Sequence, residues 1–224
     1  MKLPKLKYVS RIALILDRAR GKRVLHLGCV GDNPGRGLTQ GDHLHLRISS
    51  IAGELWGIDT DEEGLRLLSD RIPSEQKRLL KANAERLDEL SFEEPFDLVL
   101  AGDLIEHLEH PAAMFRKVHR VLAPKAELIV TTPNAFGLLT SLRLLRGIEA
   151  VNPQHVCFFS FSSLRELSRR CGFDVVEWCT AYDRPPRGPL GRIKLAIGAP
   201  FFKFFPFWGG TLVAVMKPSE GTSA

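Results

Sequence analysis

The sequence predicts an α/β fold in three layers: a doubly wound, mostly parallel sheet covered by helices on both faces. Three observations point there. Short apolar runs recur along the 224 residues, they alternate with stretches of helical periodicity, and glycine or polar residues stand directly after each run. A chain of this length with 44% hydrophobic residues is long enough to bury a sizeable core, so residues 1–217 are expected to form one domain.

From Tyr8 to Arg20, the residues Val9, Ile12, Ala13, Ile15, Leu16 and Ala19 recur at helical spacing and Gly21 follows as a stop, so 1–21 is expected to hold an opening helix. Arg23–Leu27 is a short apolar strand running into Gly28, and Glu54–Ile58 is a second that ends at Asp59. Between them, Asn33–Asp42 is glycine-rich and reads as a loop, followed by a helix that buries Leu44, Ile48, Ile51 and Ala52. Leu79–Ala82, Phe96–Ala101 and Ala126–Thr132 repeat the strand signal, with a helix at Ala112–Leu122. Ser160–Cys171 reads as a helix with a serine cap, and Asp174–Ala181 and Thr211–Lys217 as the last strands, giving about seven in all. Residues 184–210 form a basic and aromatic insertion between those two strands, and the small, polar tail 218–224 is expected to be disordered.

Composition narrows the setting. No run of about 20 apolar residues is present and the N-terminal residues lack a signal-peptide pattern. The four cysteines, Cys29, Cys157, Cys171 and Cys179, are scattered without a CxxC pair, which fits reduced thiols in the cytoplasm and argues against a zinc site. The net charge of +5 admits anionic partners without selecting one.

In an open parallel sheet, ligands sit beyond the carboxyl ends of the strands, so the residues there carry the functional information. The first strand is followed by Gly28-Cys29-Val30-Gly31, whose glycines let backbone approach a ligand closely. Asp59 follows the second and suits two ribose hydroxyls, with Thr60 beside it. The third leads into Asn83-Ala84-Glu85, an amide and backbone groups for a purine edge, and the fourth into Gly102-Asp103.

Taken in order, VLHLGC, WGIDTD, KANAERL, FDLVLAGDLIEHLEHP, LIVTTPN and HVCFFS resemble the class I S-adenosylmethionine-dependent methyltransferases, especially the branch of ubiquinone-biosynthesis O-methyltransferases. The resemblance covers roughly residues 20 to 180. It implies a Rossmann-like sandwich with an antiparallel last strand. It also implies S-adenosylmethionine over the ends of the first, second and fourth strands: Gly28 as first glycine of the cofactor loop, Asp59 as ribose acid, Asn83-Ala84 as adenine contacts and Asp103 facing the methionine part. Three departures stand out. His26 replaces the acid that helps hold the cofactor ammonium, which shifts that task toward Asp103 or backbone carbonyls. Val30 and Asp32 replace later glycines. The stretch from Gly28 to Asp59 exceeds the roughly 20-residue spacing of a compact nucleotide-binding unit by about ten residues, which reads as an inserted loop over Asn33–Gly41.

Methyl transfer needs positioning above all, with a base when the acceptor is a hydroxyl. His107 and His155 are the candidates for that base, each weighed against a purely structural role. The resemblance points to a small-molecule or lipid-linked acceptor methylated at oxygen. It also brings in a divalent metal at Asp103, Glu106 and His107, ranked below a metal-free site. His43, His45 and His110 are expected on helix surfaces or at caps. Two rival functions remain: a binding protein that has kept the fold without catalysis, and a nicotinamide-dependent oxidoreductase. The latter is disfavoured because G-x-G-x-x-G does not follow Leu27. The cations and aromatics of 184–210 suit peripheral membrane contact or packing over the sheet; nucleic acid is disfavoured for want of a recognisable module.

Overall fold

The computed structural model describes residues 4–31, 42–73, 76–149, 151–182, 198 and 200–219. Eight strands form one sheet: β1 (Lys7–Ser10), β2 (Arg23–Leu27), β3 (Glu54–Asp59), β4 (Leu79–Lys81), β5 (Phe96–Gly102), β6 (Leu122–Pro133), β7 (Phe173–Tyr182) and β8 (Thr211–Pro218). Their spatial order is β1-β7-β8-β6-β5-β2-β3-β4. All neighbours run parallel except β8, which is antiparallel to both β6 and β7. The strand order reverses at β2 and β5, opening the crevice where ligands settle in such sheets.

Side-chain alternation along the strands divides the core. Leu25, Leu27, Val99, Ala101, Leu128 and Val130 face one layer, with Met114, Phe115 and Val118 of α4 (Pro111–Val118) and Phe161 and Leu164 of α6 (Phe161–Arg170). Val24, Leu98, Leu100 and Ile129 face the other, against Ile15 and Ala19 of α1 (Arg11–Ala19) and Ile48 of α2 (Leu44–Ser49). A smaller cluster packs Leu65 and Leu68 of α3 (Glu62–Ser69) against Cys29 and Val30. A short helix, α5 (Leu138–Leu144), follows β6 and buries none of its residues.

The first element differs from expectation. Residues expected to open a helix at Tyr8 form the edge strand β1, paired with β7 through Tyr8↔Thr180 and Val9↔Ala181, which brings the sheet to eight strands. The helix begins only at Arg11, where the Ser10 hydroxyl accepts the Ala13 N–H at 3.4 Å. Near its other end, Arg18 reaches both Glu127 on β6 and Glu177 on β7, fixing α1 across the sheet. The α4 helix stops at Val118 rather than Leu122, because Leu122 already pairs with Phe96 in the sheet.

The expected loop over Asn33–Gly41 lies outside the described residues, as do 184–197 and 199 of the basic and aromatic insertion and most of the tail. Of that insertion, 200–204 is helical and leads into a short 3-10 turn at Pro206–Trp208. Phe202 stacks on Tyr8 with ring centroids 5.0 Å apart, whereas Phe204 and Phe205 are exposed.

Candidate functional site

A cleft of about 370 Å³ opens beyond the carboxyl ends of β2, β3, β4 and β5. Its wall includes Gly28, Gly31, Asp59, Thr60, Asn83, Ala84, Asp103, Leu104, His107 and Gln154. Eight of the residues singled out from the sequence thus meet in one place.

The backbone after β2 turns sharply, and the turn depends on glycine. Gly28 has φ +66° and Gly31 has φ +71°, both in the left-handed region. A Cβ at Gly28 would also lie 3.0 Å from Leu104 Cδ1. The Gly28 and Cys29 N–H groups both donate to the Ile58 carbonyl, at 2.9 and 3.1 Å, tying the turn to β3. Asp59 holds the turn from the other side: its carboxylate accepts the Val30 N–H at 2.9 Å and the Asp61 N–H at 3.0 Å. Each oxygen keeps acceptor capacity for a ligand in the cleft. Asn83 Oδ1 accepts the Glu85 N–H at 2.8 Å, opening a 3-10 turn over Ala84–Glu89.

Three expected cofactor residues stand outside the cleft wall. Cys29 is buried under the turn, and its thiol is pushed well above the ordinary range by burial and then by the Asp59 charge. Glu85 turns away to accept the His110 N–H with its carboxylate, while its carbonyl takes Lys117 Nζ at 2.8 Å. Gly102 faces Thr131 on the neighbouring strand.

Asp103 is held in the left-handed region at φ +50° by Thr131. Its N–H donates to the Thr131 carbonyl at 2.9 Å, and Thr131 Oγ1 donates to its carboxylate, also at 2.9 Å. Arg11, at the start of α1, pairs with the other carboxylate oxygen and reaches Thr131 Oγ1 at 3.3 Å. Sequence reading missed Arg11 altogether. Its partner is 92 positions away, and only the strand-to-helix junction at Ser10 brings it beside Asp103 at the cleft's edge.

Histidine replaces an acid at position 26 without leaving an unpaired charge. His43 and His45, expected on helix surfaces or at caps, are buried; His43 does stand at the N-cap of α2, though its side chain makes no capping bond. His26 Nδ1 lies 3.2 Å from His45 Nδ1, one donating to the other, and the rings stack with an interplanar angle of 17°. His43 Nε2 donates to the Val30 carbonyl at 3.1 Å. Burial holds all three below the usual imidazole range, His45 down to about 3, with His45, His43 and Arg11 adding repulsion at His26. Space for His45 comes from Gly57, where a Cβ would stand 2.6 Å from His45 Cε1 and 2.8 Å from Cys29 Sγ.

On the remaining wall, the ring of His107 meets that of His155, which stands outside the cleft lining, edge to face with centroids 4.6 Å apart. The Glu106 carbonyl accepts the N–H groups of Val156 and Cys157, at 2.9 and 3.1 Å, binding the 152–159 segment to the turn after β5. One ligand atom each from Glu106, His107 and His155 falls within 4.8 Å of the others. The carboxylate grouped with Glu106 and His107 from sequence was Asp103; the fold gives Asp103 to Arg11 and brings His155 instead. His110 is exposed at the start of α4, as expected, and its side chain makes no capping bond.

The sheet order, the turn after β2 and the acid ending β3 define a nucleotide-cofactor-binding α/β protein of the class I methyltransferase type. The Methyltransferase domain family matches residues 5–178, and the chain belongs to that family. It is 28% identical over 191 residues to the ubiquinone biosynthesis O-methyltransferase of Ruegeria pomeroyi, covering 77% of this chain and 71% of that one. Over 162 residues it is 29% identical to a Mycolicibacterium smegmatis protein named "Probable S-adenosylmethionine-dependent methyltransferase", covering 72% of this chain and 55% of that protein's length. Among solved structures, the magnesium protoporphyrin IX methyltransferase of Synechocystis, crystallised with S-adenosylhomocysteine, superposes with a TM-score of 0.59 at 13% identity, covering 93% of this chain and 80% of the other. The [4+2]-cyclase SpnF superposes at 0.61 with 18% identity, covering 94% and 81%. At these identities the structural likeness speaks for the fold alone.

Proposed function

We propose that this chain transfers a methyl group from S-adenosylmethionine to an oxygen of a small-molecule or lipid-linked acceptor. The observation that carries the reading is the convergence of Gly28, Asp59, Asn83 and Asp103 on one cleft. The residues fit the cofactor: the left-handed turn at Gly28 leaves a cradle that a Cβ would obstruct, and Asp59 is pre-set by two backbone amides. Asp59 would accept the ribose hydroxyls, Asn83 and Ala84 would meet the adenine, and the Arg11–Asp103 pair offers a cation and an anion to the zwitterionic amino-acid end. That division supplies the anion which His26 does not.

When bound, the cofactor supplies a methyl group on a sulfonium, an electrophile that needs no further activation. The chain's own task is to hold an acceptor hydroxyl in line and take its proton. His107 lines the cleft, so its imidazole can receive that proton as the oxygen–carbon bond forms, and His155, packed edge to face against it, can assist from behind. Oxygen as the acceptor atom is supported by the name of the R. pomeroyi relative.

A metal-assisted variant has its own support in the grouping of Glu106, His107 and His155. A divalent ion held there would lower the pKa of an acceptor hydroxyl, leaving less for a histidine base to do. Calorimetry with S-adenosylmethionine and S-adenosylhomocysteine tests the cofactor reading, and heat with neither removes it. Labelled-cofactor screening of metabolite extracts, with and without chelator, then tests turnover and metal dependence. Binding without transfer to any acceptor would favour the non-catalytic alternative.

A further inference from the structure

The segment after β6, at the carboxyl edge of the sheet, carries more exposed apolar surface than a solvated rim requires. Phe136, Leu139, Leu142, Leu144, Leu145 and Ile148 are all exposed, Leu145 at 83%. Isolated exposed leucines are ordinary on protein surfaces, but a cluster of this size marks a contact site. Its neighbours extend it. Asn134 Nδ2 donates to the Phe207 carbonyl at 3.1 Å and the Gly209 carbonyl at 2.8 Å, placing the exposed Trp208 and Phe205 alongside the root of α5. On the other flank, Asn134 bridges to Phe159, which brings exposed Phe158 and Val156 to the same rim, next to Gln154 in the cleft wall.

We infer that this rim docks the protein on an anionic lipid bilayer, with α5 lying in the interface beside the cleft. Charge selects an anionic lipid surface over a folded apolar partner. Cations border the patch: Arg143, Arg146 and Lys203 are exposed and, among the described residues, have no ion-pair partner, against one local acid, Glu149. Apolar residues interleaved with cations and edged by aromatics are the pattern of interfacial segments. The contact is peripheral: among the described residues, no helix is long and apolar enough to cross a membrane. The link from this rim to catalysis rests on the methyl-transfer reading above, since a lipid-tailed acceptor would enter the cleft from the surface on which the protein sits.

The test is flotation of the full chain with vesicles of phosphatidylcholine alone and of phosphatidylcholine with phosphatidylglycerol, at low and high salt. The expected result is binding to the anionic vesicles, weakened by salt, with a blue shift in tryptophan emission that Trp208→Phe removes. The double variant Leu142→Glu with Leu145→Glu should lower partitioning at least tenfold, and Arg143→Glu with Arg146→Glu should abolish the preference for anionic vesicles. Both pairs are exposed, so thermal melting should be unchanged. No vesicle binding at low salt, equal binding to neutral vesicles, or a dimer that the leucine variant dissociates would each overturn the inference. Calorimetry with S-adenosylhomocysteine, run without vesicles, keeps the two readings apart: it should be unaltered in both variants, and its failure in the parent protein would remove the methyl-transfer reading while leaving the docking result standing.

Discussion

Replacing Asp59 by alanine should damage the protein twice, in stability and in cofactor affinity, by amounts that can be separated. In the folded chain the carboxylate accepts the Val30 and Asp61 N–H groups, at 2.9 and 3.0 Å. Asp61 is exposed and water can replace its partner, but Val30 is buried. A buried donor left unmatched costs about 1–3 kcal/mol. For a chain of this size each kcal/mol moves Tm by about 2–4 °C, so Asp59→Ala should melt roughly 2–12 °C lower. The loss of hydrogen bonds between ribose and a charged acceptor should add about 1.5–3 kcal/mol to the binding free energy, a drop in affinity of about 10- to 150-fold. Differential scanning fluorimetry reads the first quantity, and titration calorimetry with S-adenosylhomocysteine well below the variant's Tm reads the second. Asp59→Asn, whose amide oxygen can still accept the Val30 N–H, should recover much of the stability but little of the affinity. A folded alanine variant that binds the cofactor within threefold of the parent would remove Asp59 from the cofactor site.

Three other expectations concern neighbouring groups. Arg11→Gln should weaken cofactor binding by about tenfold or more, on the scale of hydrogen bonds to charged groups, and unaltered calorimetry would confine Arg11 to a structural role. His155→Ala should lower turnover by about 10² or more with cofactor affinity nearly intact, whereas a lower Tm with normal turnover would mark it as structural. Because burial lowers the folded-state pKa of His26 and His45, the unfolded chain takes up protons first as pH falls through about 6.5, and stability is lost on the acid side. Between pH 7 and 5.5 each should cost on the order of 1 kcal/mol, and His45→Asn should remove about half of the pair's contribution; a Tm that stays flat over that range would contradict the buried neutral pair.

Much of the cleft was legible because strand ends announce themselves: an apolar run stops and a glycine, acid or amide follows, as at Gly28, Asp59 and Asn83. What escaped depends on contacts between distant positions. The β1 strand hid inside a helical pattern, since Val9 suits the core from either conformation and only pairing with Ala181 decides between them. Arg11 carries no local mark of function. His45 was expected on a helix surface or at a cap, and His26 stood as a departure in the cofactor loop, but a neutral imidazole can donate and accept at once, so the two satisfy each other in the interior. Glu85 had a suitable side chain in a suitable place, and the 3-10 turn aimed it at α4 instead.

The glycine at position 57 sets the terms on which this unusual cleft floor can change. Any side chain there would collide with His45, Cys29 and Leu79, so a larger residue on β3 is admissible only where position 45 has become smaller and Cys29 and Leu79 have also given way. Restoring an acid at position 26 would meet the same wall, because its nearest neighbour would be an imidazole held beneath the turn rather than a cofactor ammonium. Positions 26, 45 and 57 therefore behave as a single heritable unit: single replacements at any of them should be strongly penalised, and compensated combinations should be tolerated, a sign of epistasis that a double-mutant cycle would register as non-additivity.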